Sequence, residues 1–116
     1  MLSIKDRVDD LLQRMTLSEK IAQIRHLHSW NIFNGQKLDM QKLESFSRGM
    51  AWGFVEGFPL TGENCTENMF LIQKYMVENT RLGIPIFTVA ESLHGAVHEG
   101  STIYPQNIAL GSTFNL

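Results

Sequence analysis

The chain has a single cysteine, Cys65, among its 116 residues. It offers no internal disulfide, which fits a reducing compartment or indifference to redox state. Charge of neither sign dominates: 10 Lys and Arg stand against 12 Asp and Glu, for a net charge of -2. The basic surplus that would point to nucleic acid is missing, and no run of like charge suggests a binding tail. No apolar stretch is long enough for a membrane span. The opening Met1-Leu2-Ser3-Ile4-Lys5-Asp6-Arg7 is already polar and periodic, unlike a secretory leader. As it stands the chain therefore reads as cytoplasmic, with a periplasmic or secreted parent left open. There is no Gly-rich phosphate loop, because Gly111-Ser112-Thr113 lacks the spacing and the lysine. Internal repeats and low-complexity segments are missing too. What remains is 43% hydrophobic and 19% charged, the composition of one small soluble domain with a modest core.

Two amphipathic helices open the chain. Ser3 and Asp6 suit an N-cap with an acid in the first turn. Ile4, Val8, Leu11, Leu12 and Met15 then share one helical face. Thr16 and Glu19 match the capping box, which breaks the first helix from a second carrying Leu17, Ile21, Ile24 and Leu27. Asn34-Gly35 is a turn signal, and a weak helix is expected from Asp39 to Phe46.

The middle reads as β–α–β. Ala51-Trp52-Gly53-Phe54-Val55 is expected to be a strand, closed by Gly57 and Pro59. Asn64 and Glu67 suggest another capping box, ahead of a helix with Met69, Ile72, Met76 and Val77 on its buried stripe. Leu82-Gly83-Ile84-Pro85 ends that helix. Ile86 to Ala90 follows as a short buried strand. A helical crossover between two apolar strands implies parallel pairing with a right-handed connection. Residues 92 to 104 read as a loop. Tyr104-Pro105 starts a short helix through Ile108, Ala109 and Leu110.

The strand Ile86–Ala90 stops at a carboxylate, Glu91, with His94 and Gly95 just beyond. The C-terminal tip of a buried strand is where α/β proteins place ligand-binding groups. A carboxylate there can accept charge-assisted hydrogen bonds from two neighbouring sugar hydroxyls. Alternatively, it caps the next turn or pairs with a nearby Arg or Lys. His94 and His98 have the i, i+4 spacing of zinc ligands and are flanked by Glu91 and Glu99. Gly95 and Gly100 interrupt that segment and disfavour the helix such a pair needs. The competing reading is a His94 bonded to backbone in a turn and a solvent-exposed His98. His26 and His28, beside Trp30, are expected to follow the second helix as structural or solvent-facing groups. Cys65 precedes a helix, which would lower its pKa, but no nucleophile signature surrounds it, so it reads as a small core residue. No metal or cofactor is expected.

Arg81-Leu82-Gly83-Ile84-Pro85, then Glu91-Ser92-Leu93-His94-Gly95, then Thr102 through Phe114 together resemble glycoside hydrolase family 3, the β-glucosidases and β-xylosidases. The segments Arg7–Leu12 and Met15–Gln23 are similar to that family's opening helices. The resemblance implies an α/β fold: residues 1–116 as the N-terminal part of a (β/α)8 TIM-like barrel. It also implies retaining, exo-acting hydrolysis of a β-linked sugar, with a β-glucosidase read first and a β-xylosidase close second. In the family, the acid three positions before His-Gly binds hydroxyls of the first-subsite sugar, a role that falls to Glu91. Many glucosidases carry Asp there, and Glu is similar to some xylosidases.

A retaining glycosidase needs two carboxylates about 5 Å apart, and the family supplies them from later strands. A closed barrel takes about 250 residues. The chain is therefore expected to be an N-terminal fragment, inactive alone, with exposed edges that favour homo-oligomerisation or strand exchange. A non-catalytic carbohydrate-binding or assembly module and a small His-based metalloprotein are the alternatives.

Overall fold

The computed structural model describes residues 2–57, 62–96 and 100–115. Pro59, His98 and Glu99, which figured in the sequence reading, lie outside these residues. Helix α1 spans Ile4–Arg14, and Ser3 Oγ accepts from the Asp6 amide at 3.1 Å. Helix α2, Leu17–Gln23, starts at a complete capping box. Thr16 Oγ1 accepts from the Glu19 amide at 3.3 Å, and Glu19 Oε2 accepts from the Thr16 amide at 2.8 Å. Two orphan donors are thereby satisfied reciprocally.

Strand β1, His26–His28, follows α2. The sequence stripe placed Leu27 on α2; instead the helix ends at Gln23, and Leu27 is buried on a strand. Three residues of alternation are too short to announce a strand, and pairing across the chain decides the outcome. A short hairpin follows, β2 (Phe33–Asn34) against β3 (Lys37–Leu38), turning at Gly35 with φ 61°. Helix α3, Met40–Ser47, is capped by Asp39, whose Oδ1 accepts from the Gln41 and Lys42 amides at 3.0 and 3.1 Å.

Strand β4 is Phe54–Glu56, shorter and later than expected. Ala51, Trp52 and Gly53 form a buried lead-in, bonded to the end of α2. Gln23 Nε2 donates to the Ala51 carbonyl at 2.8 Å, and the Gly53 amide to the Ala22 carbonyl at 3.2 Å. A Cβ on Gly53 would sit 1.8 Å from the Gln23 carbonyl oxygen, so only glycine permits this approach. Helix α4, Gly62–Glu78, begins earlier than the expected capping box, which places Asn64 and Glu67 inside it.

Strand β5, Phe87–Val89, pairs parallel with β4, and β4 pairs parallel with β1. The sheet order β1-β4-β5 follows chain order, so the fold is α/β with a progressive parallel sheet. Helix α5, Asn107–Gly111, is fully exposed. Among the described residues no helix is long and apolar enough to cross a membrane.

One face of the sheet is covered. Leu27 and Val55, adjacent in register, pack with Leu43 of α3 and Ile72, Tyr75 and Met76 of α4. Burying each such aliphatic side chain contributes about 1.5–3 kcal/mol. The other face carries His26, His28, Phe54, Glu56, Phe87 and Val89 by strand alternation, and it is largely bare. Phe87 is 70% exposed and Val89 41%. The strand expected to be buried is thus buried only at Ile86, which enters the core ahead of it. Its own residues lie on the sheet's edge and are exposed. The radius of gyration, 17.6 Å, exceeds the roughly 13 Å of a closed domain this long. Helix α1 and the stretch after Val89 contribute to the difference, since among the described residues neither buries a side chain.

Candidate functional site

The three parallel strands end together. His28, Glu56 and Val89 are level in register at the C-terminal edge of the sheet, and Glu91 lies two residues beyond Val89. In parallel α/β sheets this edge collects ligand-binding groups, because the strands hold the side chains rigidly while the following loops open a cleft.

Glu91 is exposed. Among the described residues no hydrogen bond or ion pair engages its carboxylate, so neither the capping nor the pairing alternative is realised there. His94 is half-buried in a turn, and its carbonyl accepts from the Tyr104 amide at 2.7 Å. That bond folds the segment after β5 back on itself. Gly95 is needed at the crossing: its φ is 89°, and a Cβ would lie 2.6 Å from the Thr102 carbonyl oxygen. Cys65, expected to precede a helix, is inside α4 and only partly buried.

The structure assembles a group that the sequence reading left apart. His26 and His28 are not a helix tail. They alternate with Leu27 on β1, so both project from the bare face, and Glu56 projects from the same face of β4. His26 Nε2 is 3.1 Å from His28 Nε2 and 3.3 Å from Glu56 Oε2. His28 Nδ1 is 3.9 Å from the same oxygen. The His28 ring stacks on Trp30, centroids 3.9 Å apart and planes 11° from parallel. Ser29 Oγ donates to the Gly57 carbonyl, tying the turn after β1 to the end of β4. The one available signal in the sequence was the His-Leu-His alternation, whose partner Glu56 lies a whole helix and loop away.

No protein-family model matches the chain. A protein of Formosa agariphila named a beta-xylosidase is 36% identical over 98% of this chain and 16% of its own length. A lysosomal beta glucosidase of Dictyostelium discoideum is 26% identical over 94% of this chain and 15% of its own length. The chain thus spans about one sixth of the curated relatives it matches. It is similar to proteins named as β-glycosidases, one for xylosides and one for glucosides.

Proposed function

We propose that this chain is the opening segment, residues 1–116, of the barrel domain of a glycoside hydrolase family 3 type β-glycosidase. Glu91 is its sugar-holding carboxylate. The observation that carries this reading is the position of Glu91, just beyond the C-terminal edge of a parallel sheet whose strand order follows the chain. A doubly wound sheet reverses its order and covers both faces with helices. A (β/α)8 barrel adds strands in sequence, keeps its helices outside and fills its inside with side chains. The bare face carrying Phe54, Phe87 and Val89 suits the inside of such a barrel.

In this reading Glu91 accepts hydrogen bonds from adjacent hydroxyls of a β-linked glucoside or xyloside, and the reacting carboxylates belong to other strands of the parent enzyme. Glutamate in place of aspartate and the higher identity to the beta-xylosidase support the xyloside over the glucoside. The test has two arms. Calorimetric titration of the chain with xylose and glucose is expected to show weak binding that Glu91→Ala removes. Assays with aryl β-xylosides and β-glucosides are expected to show no turnover. Turnover by the pure 116-residue protein, lost in Glu91→Ala, would overturn the assignment of Glu91 as a holding group. Sugar binding that survives Glu91→Ala would move the subsite elsewhere.

A further inference from the structure

We propose that His26, His28 and Glu56 form a divalent-cation site of zinc type on the bare face of the sheet. The three residues offer ligand atoms that all lie within 4.8 Å of one another. Zinc bound tetrahedrally at 2.0–2.1 Å places neighbouring nitrogen and oxygen ligands roughly 3.3 Å apart. The His26 Nε2 to His28 Nε2 distance of 3.1 Å and the His26 Nε2 to Glu56 Oε2 distance of 3.3 Å match two such edges. Two imidazoles and a carboxylate are the donor set that suits a borderline-soft divalent ion, softer than calcium or magnesium prefer.

The surroundings are built to hold the donors in place. The ligands stand on two hydrogen-bonded strands whose opposite face is the core, with Leu27 2% exposed and Val55 fully buried. Trp30 fixes the plane of the His28 ring. Among the described residues His28 Nδ1 is buried without a hydrogen-bond partner, so the ring is not already committed to another acceptor when Nε2 serves as the ligand. His26, half exposed, leaves the outer side open, so a fourth position is available to water. A bound cation would also offset the Glu56 charge and clamp β1 to β4 at the ligand-binding edge. This site is independent of the glycosidase reading, and its test uses no sugar.

The experiment is titration of the chelator-treated chain with Zn2+ by calorimetry, and with Co2+ by visible absorption. One equivalent is expected to bind, with the intense d–d bands of a four-coordinate Co2+ centre. His26→Ala and Glu56→Gln are each expected to weaken Zn2+ by about tenfold or more, since even outer-shell changes cost 10–100-fold. His26 is half exposed and Glu56→Gln is isosteric, so folding is preserved, with circular dichroism as the check. His94→Ala is expected to bind Zn2+ as the parent does. Equal affinity in the parent and in the His26→Ala and Glu56→Gln variants would overturn the site. So would binding lost in His94→Ala and kept in His26→Ala, which would place the ion on the loop after β5.

Discussion

Arg81 forks onto Glu19 across the molecule, its Nε at 2.8 Å from Oε1 and its Nη2 at 2.6 Å from Oε2. The same Nη2 donates to the Arg14 carbonyl at 2.7 Å. Glu19 is the acid of the capping box between α1 and α2, and Arg81 follows α4. The Glu19 carboxylate therefore starts α2 and anchors the chain leading into β5, while Arg81 itself bonds the last turn of α1 through the Arg14 carbonyl. The bidentate arrangement uses the planar guanidinium as lysine cannot.

That carboxylate sets a pH dependence. The Arg81 bonds first, then the Thr16 amide, lower the Glu19 pKa from 4.5 to about 2. Asp39 is also lowered, chiefly by the Lys42 amide. A depressed acid contributes stability that is complete above its unfolded pKa and is lost as pH falls through the folded one. Melting temperature is expected to be flat from neutral pH to about 5 and to drop steeply from there toward 2. Glu19→Gln should lower the neutral-pH midpoint and flatten the acid limb. An unchanged acid limb in Glu19→Gln would show that the pair contributes nothing to it.

Gly53→Ala addresses the lead-in to β4. The added methyl meets the backbone of Gln23, which cannot rotate away, and Phe87 donates to the Gly53 carbonyl at 2.9 Å. Overpacking typically costs about 1–3 kcal/mol, and a backbone clash falls at or above the top of that range. Urea denaturation is the measurement. A loss under about 0.5 kcal/mol, the level of an ordinary surface substitution, would mean that the α2–β4 approach relaxes freely.

Asp39→Ala removes the cap of α3 and also the acceptor for Asn34 Nδ2, 2.8 Å away. The expected loss is about 1–2 kcal/mol, the upper part of the range for N-caps. Asp39→Asn keeps the capping geometry and should recover most of it. If the two variants are equally destabilised, the charge rather than the cap is what matters.

The bare sheet face predicts surface behaviour. Phe54 and Phe87 stack on it with centroids 5.9 Å apart. The folded chain is expected to bind a hydrophobic dye at neutral pH and to self-associate on sedimentation. Phe87→Thr should reduce both while leaving the melting midpoint in place. A compact monomer that ignores the dye would contradict this.

The helices were legible in the sequence because their signals are local: Ser3, Thr16 and Asp39 all cap where hydroxyl or carboxylate sits before an apolar stripe. Parallel β–α–β pairing was legible from the apolar runs around α4. Strand β1 was not, because Leu27 fits a helical stripe and a strand equally, and only Val55 across the sheet decides between them. The exposure of β5 was hidden as well: an apolar run states that a strand can be buried, not that anything covers it. Glu91 was singled out by its position along the chain, two residues past β5, and its role is a proposal. The His26, His28 and Glu56 cluster was not, since register brings it together.

The strand order has a consequence for how the molecule is made. In the parallel sheet each new strand adds to the one already in place, β4 to β1 and then β5 to β4. β1 waits for β4 across the hairpin and α3, and β5 then docks on that finished pair as synthesis proceeds. The growing edge is always the newest strand, so the sheet assembles in one direction, as a chain of additions rather than a single collapse.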